Sequence, residues 1–232
     1  MTGKRTFTGA LRNSLGDGGI SVAMVPVTRW AKRNIDWWLQ YLERGSPRMC
    51  CLLPKVSVEG AVEADAALSG YGGFHIVGTT MYYFHGKWTD EEKASFESKE
   101  PNTLDINSFE LTTQKFSLFL GRKHFARKVV MPKCDNNSSV VLHDSFKARN
   151  EFMASLLEEY DQIAAAHAIE VHMVHIPGVR NRCSDILSRE GVTDLFYAAV
   201  TQDFPSVTNL QDVSSQLPAS VRSLSKLLGT PE

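Results

Sequence analysis

The sequence predicts an α/β fold in which an antiparallel meander is followed by strands alternating with helices, and three observations carry that expectation. Val56 to Asp65, Gly70 to Val77 and Thr80 to Gly86 are three consecutive strand-like runs, the last two joined by a Gly-containing turn. Lys128 to Cys134 and Ile169 to Ile176 are two more, each separated from its neighbours by segments of helical period. The 232 residues are 43% hydrophobic, which provides one substantial core with extra segments at either end rather than two full domains.

Taken in order, residues 1–25 are rich in Gly, Ser and Thr and read as a flexible start. Thr28 to Glu43 has helical period, with Trp30, Trp37 and Tyr41 on one face and Ile35, Trp38 and Leu42 beside it, the pattern of a docking helix that Gly45-Ser-Pro terminates. After the three strands, the charged segment Lys87 to Thr103 is expected as a surface loop and its Asp90-Glu-Glu run as a solvated face. Asn107 then opens a helix whose apolar face carries Phe109, Phe116, Phe119 and Leu120, with Glu110 in its first turns. The strand Lys128 to Cys134 ends at Asp135-Asn-Asn, and its Pro132 argues against a central place in a sheet. A brief helix with Val140, Val141 and Leu142 follows, then a longer amphipathic one from Arg149 to His167. Pro177-Gly178 breaks the strand Ile169 to Ile176, and Arg182 to Arg189 reads as the last helix of the core, with Asp185 on its inward side. The residues after Val192 are expected as an appended helical tail.

With 25 basic and 26 acidic residues the formal net charge is -1, so the chain lacks the broad positive field of a self-sufficient nucleic-acid binder; any such binding must use a local patch. Cys50, Cys51, Cys134 and Cys183 have no zinc-knuckle spacing, and an adjacent pair rarely forms a disulfide, which favours a reducing, intracellular setting. No apolar run reaches bilayer-spanning length, so no membrane role is expected; Lys4, Arg5 and Arg12 leave an organellar address open beside cytoplasm or nucleus.

Asp65, Glu110, Asp135 and Asp185 lie in four separate contexts, each at the edge of a buried-looking strand or on a helix with an apolar stripe. An unpaired carboxylate there is costly unless a cation or proton neutralises it, and oxygen ligands without His-Cys clusters favour magnesium or manganese over zinc. His172 and His175 alternate along a strand and read as packing or surface residues, His143 as a helix-end residue, and Cys134 and Cys183 as small buried side chains.

The motifs Asp65-Ala-Ala-Leu-Ser-Gly-Tyr-Gly-Gly, Ile106-Asn-Ser-Phe-Glu110-Leu and His175-Ile-Pro-Gly with Asn181 and Asp185-Ile-Leu-Ser-Arg resemble, in that order, those of ribonuclease H domains that follow retroelement reverse transcriptases, DIRS-like retrotransposons above all. Trp37-Trp38 is similar to the tryptophan-rich helix that links polymerase to ribonuclease in such proteins. The resemblance covers about Pro26 to Glu190, with Ala64, Ala67 and Tyr71 departing from the usual pattern. It implies a ribonuclease H-like fold with a mixed five-stranded sheet, three antiparallel strands and then two parallel, flanked by helices. It divides the chain into residues 1–25, a connecting aromatic helix at 26–54, a catalytic domain at 55–191 and a tail at 192–232. It further implies hydrolysis of the RNA strand of RNA–DNA hybrids by two magnesium or manganese ions, with Asp65 bridging both, Glu110 and Asp135 on the first and Asp185 on the second. Asn107 and Asn136 are the candidate contacts to the ribose 2′-hydroxyl; a helix cap at Asn107 and a turn preference at Asn136 explain them equally well. Two other functions remain on this reading, a non-catalytic module that binds a polymerase or ribonucleoprotein, for which the Trp30–Tyr41 helix would serve, and a transposase or integrase.

Overall fold

The computed structural model describes residues 32, 35, 36, 39, 56–96, 106–145 and 151–222. The flexible start, the aromatic set Trp30, Trp37, Trp38 and Tyr41, and the Cys50-Cys51 pair lie outside them; Lys32, Ile35, Asp36 and Leu39 are helical and exposed.

Three strands, β1 (Val62–Ala66), β2 (Gly70–Val77) and β3 (Thr80–Lys87), pair in antiparallel succession, the meander the sequence implies. Helix α1 (Asp90–Ser95) and the long α2 (Ile106–Phe125) follow. Next come β4 (Val129–Val130), β5 (Lys133–Cys134), α3 (Asn137–Ser145), α4 (Glu151–Ala166), β6 (Glu170–Val171) and β7 (Val174–His175). A short 3-10 turn, Gly178–Arg180, leads into α5 (Arg182–Arg189) and α6 (Asp194–Asp203), and β8 (Asn209–Asp212) and α7 (Ala219–Arg222) complete the described chain. The main sheet is mixed and runs β7-β5-β1-β2-β3-β8, so the expected α/β arrangement of antiparallel then parallel strands is present with six strands rather than five. The extra strand comes from the segment expected as a helical tail: β8 pairs in parallel with β3 along Thr80 to Tyr83.

Strict alternation sorts the two faces of the sheet. Ala64, Ala66, Tyr71 and Phe84 meet Phe109, Leu111 and Phe116 of α2 and Met153, Leu156 and Leu157 of α4. Phe74, Ile76, Met81 and Tyr83 face the other way, onto Cys183 and Leu187 of α5 and Phe196, Ala199 and Val200 of α6. The site described below is built where α2 from one face and α5 from the other approach the same end of β1.

Three local expectations need correction. Strand β1 starts at Val62, not Val56; the residues before it make only an isolated bridge, Ser57 to Val129. Lys128 to Cys134 and Ile169 to Ile176 do run beside one another, with Glu170, His172, Val174 and Ile176 donating N–H bonds to the carbonyls of Lys128, Val130, Pro132 and Cys134. Each run is nevertheless divided into two short strands, since Pro132 has no N–H to contribute to a ladder. The same proline sits beside a central strand all the same, because the interruption falls on it and β5 resumes between β1 and β7. Finally, residues 88–96 are not a surface loop. Trp88 is buried and its indole N–H lies 2.9 Å from the carbonyls of both Ala67 and Gly70, Thr89 and Glu92 form a reciprocal capping box at the start of α1, and Phe96 is buried against Phe109. Glu92, expected on a solvated face, is buried and paired with Arg222 at 3.0 Å.

Candidate metal centre

Strand β1 is buried along its whole length, and its alternation turns Glu63 and Asp65 toward α5. Opposite Asp65 in the antiparallel register stands Gly72, where a Cβ would press on Leu187 and come within 2.7 Å of the Ser188 nitrogen. The missing side chain therefore lets α5 lie directly on the sheet. That contact brings two donors to Asp65: Ser188 Oγ at 2.6 Å from Oδ2 and Asn181 Nδ2 at 3.3 Å from Oδ1. Both donors are buried, so the Asp65 carboxylate is fixed at both oxygens before any ligand arrives.

Glu110 enters from the opposite side, in the second turn of α2, and is 4% exposed. It accepts a hydrogen bond from the Ala66 backbone, while its Oε2 is buried without any hydrogen-bond partner. Asp135 follows β5 directly, half-buried, and is bounded by the 3-10 turn: a Cβ on Gly178 would lie 3.3 Å from its Oδ2, and His175 Nε2 lies 3.2 Å from its carbonyl oxygen. Carboxylate oxygens of Glu110 and Asp135 and the sulfur of Cys134 all lie within 4.8 Å of one another. Asp185, on the first turn of α5, is half-buried and receives the Arg189 guanidinium at 2.6 Å, one helical turn on.

The electrostatics bind these groups together. Burial pushes Asp65 up to about 7, the Ser188 hydroxyl opposes the shift, and the charges of Asp135 and Asp185 add to it. Burial also lifts Glu110, to about 9, with Asp65 and Asp135 contributing repulsion. Arg189 draws its own proton affinity upward chiefly from Asp185, and also feels Asp65 and Asp135. Four carboxylates from β1, α2, the end of β5 and α5 thus share one field, in which Glu110 keeps its proton at neutral pH and Asp65 is divided between its charged and neutral forms unless something positive joins them. All-oxygen donors, one of them buried and unpartnered, suit a hard divalent cation such as magnesium or manganese.

The other sequence candidates settle differently. Asn136 Nδ2 donates to Asn107 Oδ1 at 3.1 Å, and Asn136 Oδ1 accepts from the Ser139 N–H at 3.2 Å, so Asn136 serves the start of α3 while its amide touches Asn107 beside the acids. His172 is exposed and pairs with Glu170, and His143 is buried edge-on to Tyr160, 5.3 Å between centroids. Sequence reasoning gave no role to Asn181, Ser188 or Arg189, although all three stand in the closing motif around Asp185. The i to i+3 and i to i+4 spacing of Ser188 and Arg189 from Asp185 was the available signal, since it puts them on one helix face. Cys134 is buried as expected, but beside two carboxylates.

No family model matches the chain, and no curated protein matches it. Among solved structures, a ribonuclease H1 from the halophilic archaeon Halobacterium salinarum NRC-1 is similar with a TM-score of 0.43 and 10% sequence identity, over 57% of this chain and 96% of that one.

Proposed function

We propose that this chain is a metal-dependent endoribonuclease that hydrolyses the RNA strand of RNA–DNA hybrids, of the kind associated with retroelement reverse transcriptases. The observation that carries the reading is the meeting of Asp65, Glu110, Asp135 and Asp185 at one end of β1, where burial and mutual repulsion raise the proton affinity of Asp65 and Glu110, a cost that a bound cation would relieve. Asp65, Glu110 and Asp135 would hold one magnesium or manganese ion, and Asp65 with Asp185 a second. Bound there, such ions supply the charge that activates a water and offsets the developing negative charge on the scissile phosphate.

The chain's own residues perform the rest. Ser188 and Asn181 keep Asp65 in one orientation, so its two oxygens do not have to be reorganised during the reaction. Arg189 holds Asp185 and sets a positive group at the open side of the cluster, where a phosphodiester backbone would approach. The Asn107 and Asn136 amides, linked to each other and each close in sequence to an acid of the cluster, would read a ribose 2′-hydroxyl in the wide minor groove of a hybrid. The near-neutral net charge fits a domain whose affinity is helped by a polymerase partner.

The test is incubation of the purified chain with a labelled RNA–DNA hybrid, with single-stranded RNA and with duplex DNA, each with magnesium, manganese or chelator. Cutting confined to the RNA strand of the hybrid, and abolished by chelator, is the expected result. Binding of hybrid without cutting under any metal would instead support a non-catalytic module, and metal-dependent cutting of duplex DNA a transposase-like one.

A further inference from the structure

The four acids leave one neighbour unused. Cys134 lies on β5 immediately before Asp135, is 0% exposed and is a free thiol. Its sulfur and carboxylate oxygens of Glu110 and Asp135 lie within 4.8 Å of one another. Donors that sit about 2.0–2.3 Å from a four-coordinate ion are roughly 3.3–3.5 Å from one another, so side-chain rotations that move these atoms by up to about 1.5 Å close the triangle around one ion. A second observation points to a ligand at the same place: Glu110 is 4% exposed and its Oε2 has no hydrogen-bond partner. Among the described residues the thiol makes one long contact, 3.7 Å to the Asn136 carbonyl oxygen.

We propose that Glu110, Cys134 and Asp135 form a mixed thiol and carboxylate site for a thiophilic divalent cation, zinc or cadmium, which occupies the place of the hard ion and inhibits the protein. Magnesium gains nothing from sulfur and uses the oxygens alone, whereas zinc and cadmium gain a sulfur bond and prefer four ligands, with solvent completing the set. As the ion binds, the thiol proton and the proton on the Glu110 carboxyl pass to solvent and no electron changes hands. An ion held this way draws Glu110 and Asp135 toward Cys134 and away from the oxygen-rich arrangement that Asp65 and Asp185 complete. The proposal deepens the reading of this cluster as a metal-dependent nuclease centre, but its binding arm does not require that any nucleic acid be cut.

The full chain with Cys50, Cys51 and Cys183 changed to Ser retains Cys134 as the sole thiol and is titrated with cadmium alone. The expected result is the ultraviolet charge-transfer band of a cadmium–thiolate bond at one equivalent, absent when Cys134→Ser is added. Asp135→Asn, which keeps the thiol, is expected to weaken cadmium binding about tenfold or more; this variant also decides the matter if Cys134→Ser fails to fold. No band, or a band of equal affinity in Asp135→Asn, overturns the proposal. In a parallel assay with magnesium in excess, micromolar cadmium is expected to stop hybrid cleavage by the Cys134-containing chain. A cadmium band in a chain that cuts no hybrid upholds the site and removes the nuclease reading; magnesium-supported cleavage without a band removes the site and leaves the nuclease.

Discussion

Glu63 and Asp65 are two carboxylates on one strand, two residues apart, on the same face, and equally buried at 3% exposure. Burial raises the proton affinity of both. Glu63 meets Lys133 Nζ at 3.0 Å, an internal cation that opposes the shift. Asp65 meets hydrogen-bond donors on each oxygen but is surrounded by further acids, and the only cation acting on it among the described residues, Arg189 in its pair with Asp185, offsets that repulsion least of the causes at work. The Lys115–Glu159 pair, 2.9 Å apart across α2 and α4, follows the first pattern. Buried charge that the chain neutralises itself serves the fold; buried charge left over is where a ligand belongs.

The largest expected contrast is in activity. Asp65→Asn is expected to lower hybrid cleavage by at least about 10³-fold while Glu63→Gln leaves it within a few-fold. Single-turnover cleavage at saturating magnesium checks this, and equal losses in the two variants would erase the distinction between the two carboxylates.

Next is the effect of pH on stability. Asp65 and Glu110 have folded-state proton affinities raised from 3.8 to about 7 and from 4.5 to about 9, so between those limits the folded chain binds more protons than the unfolded one. Their contribution is therefore fully favourable below the unfolded values and is lost as pH rises through 7 and 9. In chelator the Tm is expected to fall by several degrees between pH 5 and pH 9, and millimolar magnesium is expected to remove most of that fall, since a bound cation favours the charged forms. Thermal melts across that pH range with and without magnesium measure it; an apo Tm that rises with pH would contradict the cluster as described.

Smaller effects distinguish the paired acid. Lys133→Met leaves Glu63 buried without its partner and is expected to cost about 1–2 kcal/mol near neutral pH, the half-exposed lysine limiting the loss. The deficit should shrink in acid as Glu63 takes up a proton. Glu63→Gln removes the charge but keeps an acceptor and is expected to cost under about 1 kcal/mol. Asp65→Asn, by the same logic, is expected to raise the apo Tm, because it removes repulsion rather than a partner. Urea unfolding of the three variants sets them in order.

What could be read in the sequence follows from what leaves a periodic trace. β2 and β3 are aromatic-rich runs joined at the Gly78 turn, and α5 is a short amphipathic helix bounded by Pro177-Gly178 and Gly191, so their limits were legible nearly to the residue. Asp65, Glu110 and Asp185 stand out in the sequence because each lies in a motif of its own, while Asp135 is marked only by the turn residues that follow it. β8 was not, since Asn209-Leu-Gln-Asp has no apolar alternation: it is an edge strand, mostly exposed, held by main-chain bonds rather than by a buried face. The Thr89-Asp-Glu-Glu92 capping box was present in the sequence and outweighed by the surrounding charge. Spacing puts Ser188 on the face of Asp185, but the bonds of Asn181 and Ser188 to Asp65 span 116 and 123 residues and arise only where α5 approaches the sheet at Gly72.

The parallel pairing of β8 on β3 also has a temporal side. Thr80 and its partner Asn209 are 129 residues apart in the chain. A ribosome adding roughly 5–20 residues per second needs on the order of ten seconds to supply the second after the first. For that interval β3, already able to pair with β2, presents its other side as a bare strand of main-chain donors and acceptors, open to another nascent copy or to a chaperone until residues 209–212 emerge and cover it.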